Sequence, residues 1–312
     1  MADSTTATDQ RVTGRDRQVL IAGLVRNGGT KIKADVHRMR NALRSFPNLH
    51  WLVVESDSDD DTVQRLTELS TEIANFRFLS LGTLRRDMPI RTVRLAHCRN
   101  TYLDEFRANP AYRHIDTLIV ADLDGLNDLI GEQALLSCWE RDDWDVCTAN
   151  QRGPYYDMWT LRHPVWCPGD CWEQYRFLAG AGVSTNKALF AAVYAKMIRV
   201  PEDSPWIEVD SAFGGLALYK RRALDGVGYA GVTPAGVEVC EHVILSQGIR
   251  AAGHRIFINP RLINAAFTEH TRHLGPYPAA RLRWALRCLA RALRDLGGRS
   301  RPRLVFGAMT DV

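Results

Sequence analysis

Asp122-Leu123-Asp124-Gly125 carries the sharpest chemical signal in this 312-residue chain. Side chains two apart on an extended segment point the same way, so both carboxylates project together from the carboxyl end of the apolar run Thr117-Leu118-Ile119-Val120. Two hard oxygen donors on one side suit Mg2+ or Mn2+, ions that leave several positions to water and to substrate phosphates. A polar strand exit with Gly125 as its turn residue accounts for the same pattern.

The elements around this pair indicate an α/β protein with a mostly parallel sheet flanked by helices. From Gln18 onward short apolar runs alternate with amphipathic stretches, the signature of βα units. The runs predict strands at Val19–Val25, 51–55, 76–79, 117–120 and 145–149, with helices at 31–45 and 90–106 and a third capped by Asp60 or Asp61. The second half is less regular. Residues 153–175 are rich in Trp, Tyr and Pro and residues 213–219 in Gly, compositions that build pockets more often than sheets. A helix at 237–251, a strand at 254–258 and, after Gly275-Pro276-Tyr277-Pro278, a final helix complete the pattern.

Open sheets of this kind bind ligands beyond the carboxyl ends of their parallel strands. Arg26, Asn27 and Gly28 after the first strand, and Glu55, Ser56 and Asp57 after the second, therefore share an edge with Asp122. A nucleotide fits there, with an acid accepting from a ribose or base edge and the backbone N–H groups near Gly28 approaching phosphate. No G-x-G-x-x-G or Walker A pattern is present, which counts against a Rossmann dehydrogenase and a P-loop enzyme. Arg94, Arg99 and Asn100 lie on the helix before the Asp-x-Asp strand, where guanidinium groups would neutralise a diphosphate. Arg94 and Arg99 are five apart and so do not share a helical face.

Composition bounds the rest. Forty Lys+Arg against 36 Asp+Glu and 46% hydrophobic residues describe an ordinary soluble globular chain, and no stretch approaches the ~20 apolar residues that span a bilayer. With no apolar signal-peptide region before Arg17, a cytoplasmic location is expected. The seven cysteines are odd in number and scattered, as reduced thiols are; Cys167 and Cys171 form the one close pair, without the second pair that a zinc site needs.

Residues 281–303 hold eight arginines and one acid, a net +7 within a chain of net +4, so the remainder carries −3. Leu282, Leu286, Leu289, Leu293 and Leu296 recur there at helical spacing, with Arg283, Arg287, Arg291 and Arg294 on the remaining circumference and Arg299, Arg301 and Arg303 beyond. This basic amphipathic helix either packs its leucines on the main domain or lies on an anionic membrane.

Taken in order, the motifs Glu55-Ser56-Asp57-Ser58-Asp59-Asp60-Asp61-Thr62, Arg94-Leu95-Ala96-His97-Cys98-Arg99-Asn100, Asp122-Leu123-Asp124, Tyr156-Asp157-Met158-Trp159-Thr160-Leu161-Arg162 and Cys240-Glu241-His242-Val243-Ile244-Leu245, followed by Ile258-Asn259-Pro260, resemble the fungal capsule-associated α-1,3-mannosyltransferase family. The resemblance covers about Val19 to Asn264 and departs from that family in its Asp-x-Asp, the pattern usual in GT-A glycosyltransferases at large. It implies a GT-A-like fold: a Rossmann-like nucleotide-sugar-binding half at 18–150 and an irregular acceptor half at 151–275 within one catalytic domain; outside the resemblance, composition leads one to expect a disordered tail at 1–17 and a basic helix and tail at 276–312. The resemblance also implies transfer of a hexose, mannose for the family, from a nucleoside-diphosphate sugar (a GDP-sugar favoured over a UDP-sugar) to a hydroxyl of a glycan, glycolipid or small acceptor, with Mn2+ or Mg2+.

On that reading Asp122, Asp124 and His270 hold the metal. Arg26, Asn27, Glu55, Asp57, Arg94, Arg99 and Asn100 contact the donor, and Asp157, Trp159, Arg162, Gly214 and Gly215 the substrate. Glu241, at the start of a late helix, acts as general base or stabilises the sugar cation, with Asp210 and Glu208 as rivals. Tyr155, Tyr156, Trp166 and Trp172 are further candidates for stacking on sugars, and His273 for a late ligand. Two other functions stay open. A sugar-phosphate nucleotidyltransferase is weakly imitated by Arg26-Asn27-Gly28-Gly29-Thr30-Lys31, and a nucleic-acid-binding protein would use the basic tail; the acidic body, without recognisable nucleic-acid motifs, makes that last partner unexpected.

Overall fold

The computed structural model describes residues 17–296. The expected tail at 1–17 falls outside them except for Arg17, as do Arg299, Arg301 and Arg303. The chain runs β1 (Val19–Val25), α1 (Ile32–Ala42), β2 (His50–Glu55), α2 (Thr62–Glu72), β3 (Phe76–Ser80), α3 (Arg91–Ala108), β4 (Thr117–Ala121), α4 (Glu132–Leu136), β5 (Val146–Gln151), α5 (Cys171–Gly180), α6 (Thr185–Ala192), β6 (Ile207–Val209), β7 (Leu216–Lys220), α7 (Glu241–Ala251), β8 (Ile256–Ala265) and α8 (Pro278–Leu296).

One eight-stranded sheet in the order β3-β2-β1-β4-β7-β5-β8-β6 spans both halves. The first four strands are mutually parallel, β7 is antiparallel to β4 and β5, and β8 runs parallel to β5 and antiparallel to β6. Alternation along β1 feeds two cores: Val19 and Ile21 pack with Ile32, Val36 and Met39 of α1, whereas Leu20 and Ala22 pack with Tyr102, Leu103 and Phe106 of α3. Because helices cover both faces, these strands are apolar throughout, which is why they read clearly in the sequence.

The second half differs from expectation. Residues 216–220, expected in a pocket-forming segment, are the central strand β7, with Leu216, Ala217, Leu218 and Tyr219 buried between β4 and β5. The strand expected at 254–258 continues through Pro260 to Ala265, because its register against β5 shifts between Thr148 and Gln151 and the proline sits in that irregular stretch. Asn150 donates to the carbonyls of Val200 and Pro260 there, supplying partners the ladder lacks. The helix expected from 237 begins at Glu241, since Val232 and Glu238 pair across a short turn first. Helices α5 and α6 and strand β6 had no counterpart in the sequence reading. All seven cysteines are free, and Cys167 and Cys171 are buried without a bond between them.

Candidate active site

The loop after β4 is fixed residue by residue. Asp122 donates its N–H to the carbonyl of Gly215 (3.0 Å), and its own carbonyl accepts from Asn127 Nδ2 (2.7 Å). Lys31 Nζ donates to the carbonyl of Asp124 (2.9 Å), and the N–H of Gly125, at φ 93°, donates to Asp35 Oδ2 (2.7 Å). Asp124 Oδ1 accepts from the N–H of Leu126 (3.1 Å). The two carboxylates are thereby held close together: burial first, and then the charge of Asp124, push the Asp122 carboxyl up to about 7.

Arg99 faces this pair from α3. Its Nη2 lies 3.5 Å from Asp122 Oδ1 and its Nε donates to Glu241 Oε1 at 2.9 Å, so a single buried guanidinium joins the end of β4 to the first turn of α7. Its plane stands over the rings of Phe213 (5.4 Å) and Tyr229 (5.8 Å). Burial opposes its charge, but Tyr102, Glu241 and Asp122 outweigh burial and keep it ionised. Glu241 is only 3% exposed. The expected general base is therefore the charge partner of Arg99 rather than an open carboxylate.

Asp157 closes the cluster. It accepts from the N–H of Gly214 (3.0 Å) and from Thr160 Oγ1 (2.8 Å), burial raises its carboxyl, and its charge acts on Asp122. Gly214 and Gly215, expected as substrate contacts, spend their backbone groups here; their φ values of 67° and 84°, with Leu126 Cδ2 only 2.0 Å from where a Cβ on Gly215 would stand, explain why glycine occupies both. His270 stacks on Tyr156 (ring centroids 5.5 Å, 20°) and feels the charges of Asp124 and Asp157, while burial lowers its pKa.

A divalent cation is tested by these residues. Among the described residues no three His, Cys, Asp or Glu side chains are gathered into a ready metal site, so the set Asp122, Asp124 and His270 is not preformed. The donor chemistry fits nonetheless: two partly exposed carboxylates, one of them with its carboxyl raised by burial and then by the charge of the other, are hard oxygen ligands of the kind such ions take.

Most of the expected donor contacts are turned inward. Glu55 is 2% exposed, accepting from the N–H of Ser58 and from Ser80 Oγ. Asp57, its side chain 5% exposed, accepts from the N–H of Arg85 and lies 3.7 Å from Arg94 Nε. Asn27 Oδ1 accepts from the N–H of Asp59, and the N–H groups of Asn27, Gly28 and Gly29 donate to Ser58 Oγ, Thr62 Oγ1 and Asp60 Oδ2. The expected phosphate cradle is thus filled by the chain itself. Asn100 grips the backbone of Tyr229 with both amide atoms, and Arg94 donates to the carbonyls of Met88 and Pro89. Arg26 stays exposed, and with Arg85 and Arg91 it lends positive charge to the surroundings of Arg94.

In the second half Arg162 and Trp159 both donate to Asp170 Oδ2, which holds that segment together. Asp210 is 3.6 Å from Arg250 Nε, and Glu208 bonds Arg250 and Arg255. Arg250 lies nine residues after Glu241, about 13 Å along the helix at 1.5 Å per residue, so these rivals belong to the far end of α7. Tyr155 and Trp166 pack together in the core, while Trp172 contacts Tyr175 and His273 stacks on Trp284.

Five positioning residues were not anticipated. Asp35 and Lys31 hold the Asp-x-Asp loop directly. Asn127 and Asn264 form a buried amide chain with Gln151: Asn264 Nδ2 donates to Asn127 Oδ1 and the carbonyl of Gly214 (both 2.8 Å), and Gln151 Nε2 donates to Asn264 Oδ1 (3.1 Å). A signal existed, since Asp35 falls on the apolar face of α1 between Ile32 and Met39, and Asn264 interrupts an apolar strand. Replacing Asn264 by Leu strands several of these groups in the core; a loss of about 3 kcal/mol in urea unfolding is expected, with ligand binding weakened through Gly214 and Gly215.

No family model matches the sequence, and no curated protein is similar to it. Solved structures are. A mannosyltransferase from Pyrobaculum calidifontis, solved with GDP-Man and Mn2+, is 18% identical over 92% of this chain and 66% of its own, with a TM-score of 0.47. S. aureus TarS 1-349 with UDP-GlcNAc is 12% identical over 77% of this chain and 55% of its own, at a TM-score of 0.44. Glucosyl-3-phosphoglycerate synthase from Mycobacterium tuberculosis with UDP is 14% identical over 90% and 80%, at 0.39. The chain spans less than two thirds of the length of the first two. All three likenesses stand at 18% identity or less and at TM-scores below 0.5.

Proposed function

We propose that this chain is a glycosyltransferase that moves a hexose from a nucleoside-diphosphate sugar to an acceptor hydroxyl. One observation carries the reading: motifs scattered over nearly two hundred residues of sequence converge at one edge of the sheet. Asp57 meets Arg94, Arg99 reaches both Asp122 and Glu241, and Asp157 acts on Asp122 across the glycine turn. Such convergence of polar groups at the carboxyl edge of parallel strands supports a ligand site there.

Asp122 and Asp124 would hold Mn2+ or Mg2+, which supplies charge neutralisation for a departing diphosphate. Lys31 and Asp35 keep that loop in place, and Arg99 sets the orientation of Asp122. Arg26, Arg85 and Arg91, whose charges all act on Arg94, give the edge the positive potential a diphosphate needs. The resemblance to the fungal capsule-associated mannosyltransferases implies a GDP-sugar, mannose first, over a UDP-sugar, and a glycan, glycolipid or small molecule as acceptor. A nucleotidyltransferase is disfavoured because the N–H groups of its required glycine-rich loop are already occupied by Ser58, Asp60 and Thr62.

The test is a panel of GDP- and UDP-sugars given to the purified full chain with Mn2+ and no acceptor. Slow hydrolysis of one donor class, GDP-mannose foremost, is expected. If no nucleotide sugar is bound or hydrolysed, the reading fails; pyrophosphate release from a nucleoside triphosphate and a sugar phosphate would replace it with the nucleotidyltransferase.

A further inference from the structure

Helix α8 is attached to the domain by one face and bare on the other. Trp284 stacks on His273 (5.0 Å, 7°) and meets Tyr194 edge-on at 6.2 Å. Asn186 donates to the carbonyl of Cys288 (2.7 Å), and Thr185 donates from both N–H and Oγ1 to Asp295. Residues 284, 288 and 295 therefore define the inner face, against α6. At about 100° per residue Leu282, Leu286, Leu289 and Leu293 fall on the opposite side. They are 62%, 56%, 56% and 60% exposed. Of the two places expected for the leucine stripe, these four side chains do not take the one on the main domain. Arg283, Arg287 and Arg294 are exposed too, in a row between the two faces.

Four large apolar side chains in register form a patch that isolated surface leucines do not. Its occupant follows from charge. The one acid on α8, Asp295, is held by Thr185, so a second copy docking the same face would bring arginines toward arginines with no carboxylate from the helix between them. A leucine stripe bordered by guanidinium groups instead matches a layer of acyl chains bordered by phosphates.

We propose that the outer face of α8 lies on an anionic bilayer surface, leucines at the acyl boundary and Arg283, Arg287 and Arg294 among the headgroups. Among the described residues no helix is long and apolar enough to cross a membrane, so the contact is peripheral. The test is flotation of the full chain with vesicles of phosphatidylcholine alone or mixed with phosphatidylglycerol, at low and high salt. Wild type should float with the anionic vesicles at low salt only. Leu286→Glu with Leu289→Glu should abolish this, and each of Arg283→Gln, Arg287→Gln and Arg294→Gln should weaken it about fivefold. All five positions are exposed, and an unchanged circular dichroism spectrum checks the fold. Wild type ignoring anionic vesicles at low salt, or variants floating equally well, overturns the proposal. So does a wild-type dimer in light scattering that the leucine variants dissociate, since it assigns the face to a second copy.

Discussion

Asp124→Asn is expected to lower donor turnover on the order of 100-fold or more while leaving the protein folded, because the neutral amide is a poor ligand for a cation that must balance diphosphate charge. The control lies in the stability measurement. Burial first, and then the charge of Asp124, push the Asp122 carboxyl up to about 7, so neutralising either one removes an unfavourable interaction. Asp124→Asn should therefore not lower the urea midpoint, whereas Asp122→Asn also gives up its ion pair with the Arg99 guanidinium. Adding Mn2+ should raise the stability of wild type, by about 2.7 kcal/mol at a hundred times its dissociation constant, and should do little for either variant. Full turnover in EDTA, or an equal Mn2+ stabilisation of the variants, would remove the metal from the proposal.

The first half of the fold was legible because its physics is local. Strands β1, β2 and β4 are buried on both faces, so each is an unbroken apolar run bounded by turn residues, and α1 and α3 follow from the helical period between them. Strand β7 has the same character, yet Gly214-Gly215 in front of it reads as a loop, and its neighbours β4 and β5 come from the other half of the chain. Pro260 in β8 misled for a related reason. A proline normally ends a central strand, and here the irregular pairing with β5 and the amide of Asn150 absorb the missing donor.

The site divides along the same line. Asp122 and Asp124 stand out because two carboxylates at the end of an apolar strand are locally odd. What Glu55, Asp57, Asn27 and Asn100 do is decided by partners that sequence spacing does not reveal: Ser80 for Glu55, Arg85 for Asp57, Asp59 for Asn27, Tyr229 for Asn100. Each was expected to face a ligand, and each holds a loop instead. Polar side chains at the carboxyl edge bond loop groups that lie up to 129 residues away in sequence, so spacing alone does not reveal them.

Arg99→Met is the substitution expected to damage stability most, by about 3–5 kcal/mol, because it leaves two carboxylates without their shared counter-charge in a buried setting. Glu241 is 3% exposed and its bond to Arg99 Nε is 2.9 Å; Asp122 already feels the negative charge of Glu241. Removing the guanidinium turns a compensated trio into a repelling pair. The second variant isolates this cause: Arg99→Met combined with Glu241→Gln should recover part of the loss, a coupling of about 0.5–3 kcal/mol in a double-mutant cycle. Arg99→Lys should not rescue, since an ammonium lacks the planar fork that reaches Asp122 and Glu241 at once while lying over Phe213 and Tyr229. Glu241→Gln alone then separates two roles. If Glu241 serves only to hold Arg99, the loss of turnover should track the loss of metal-dependent stabilisation, because both pass through Asp122. A Glu241→Gln protein that binds Mn2+ and donor like wild type but turns over slowly would instead put this carboxylate at the reacting sugar.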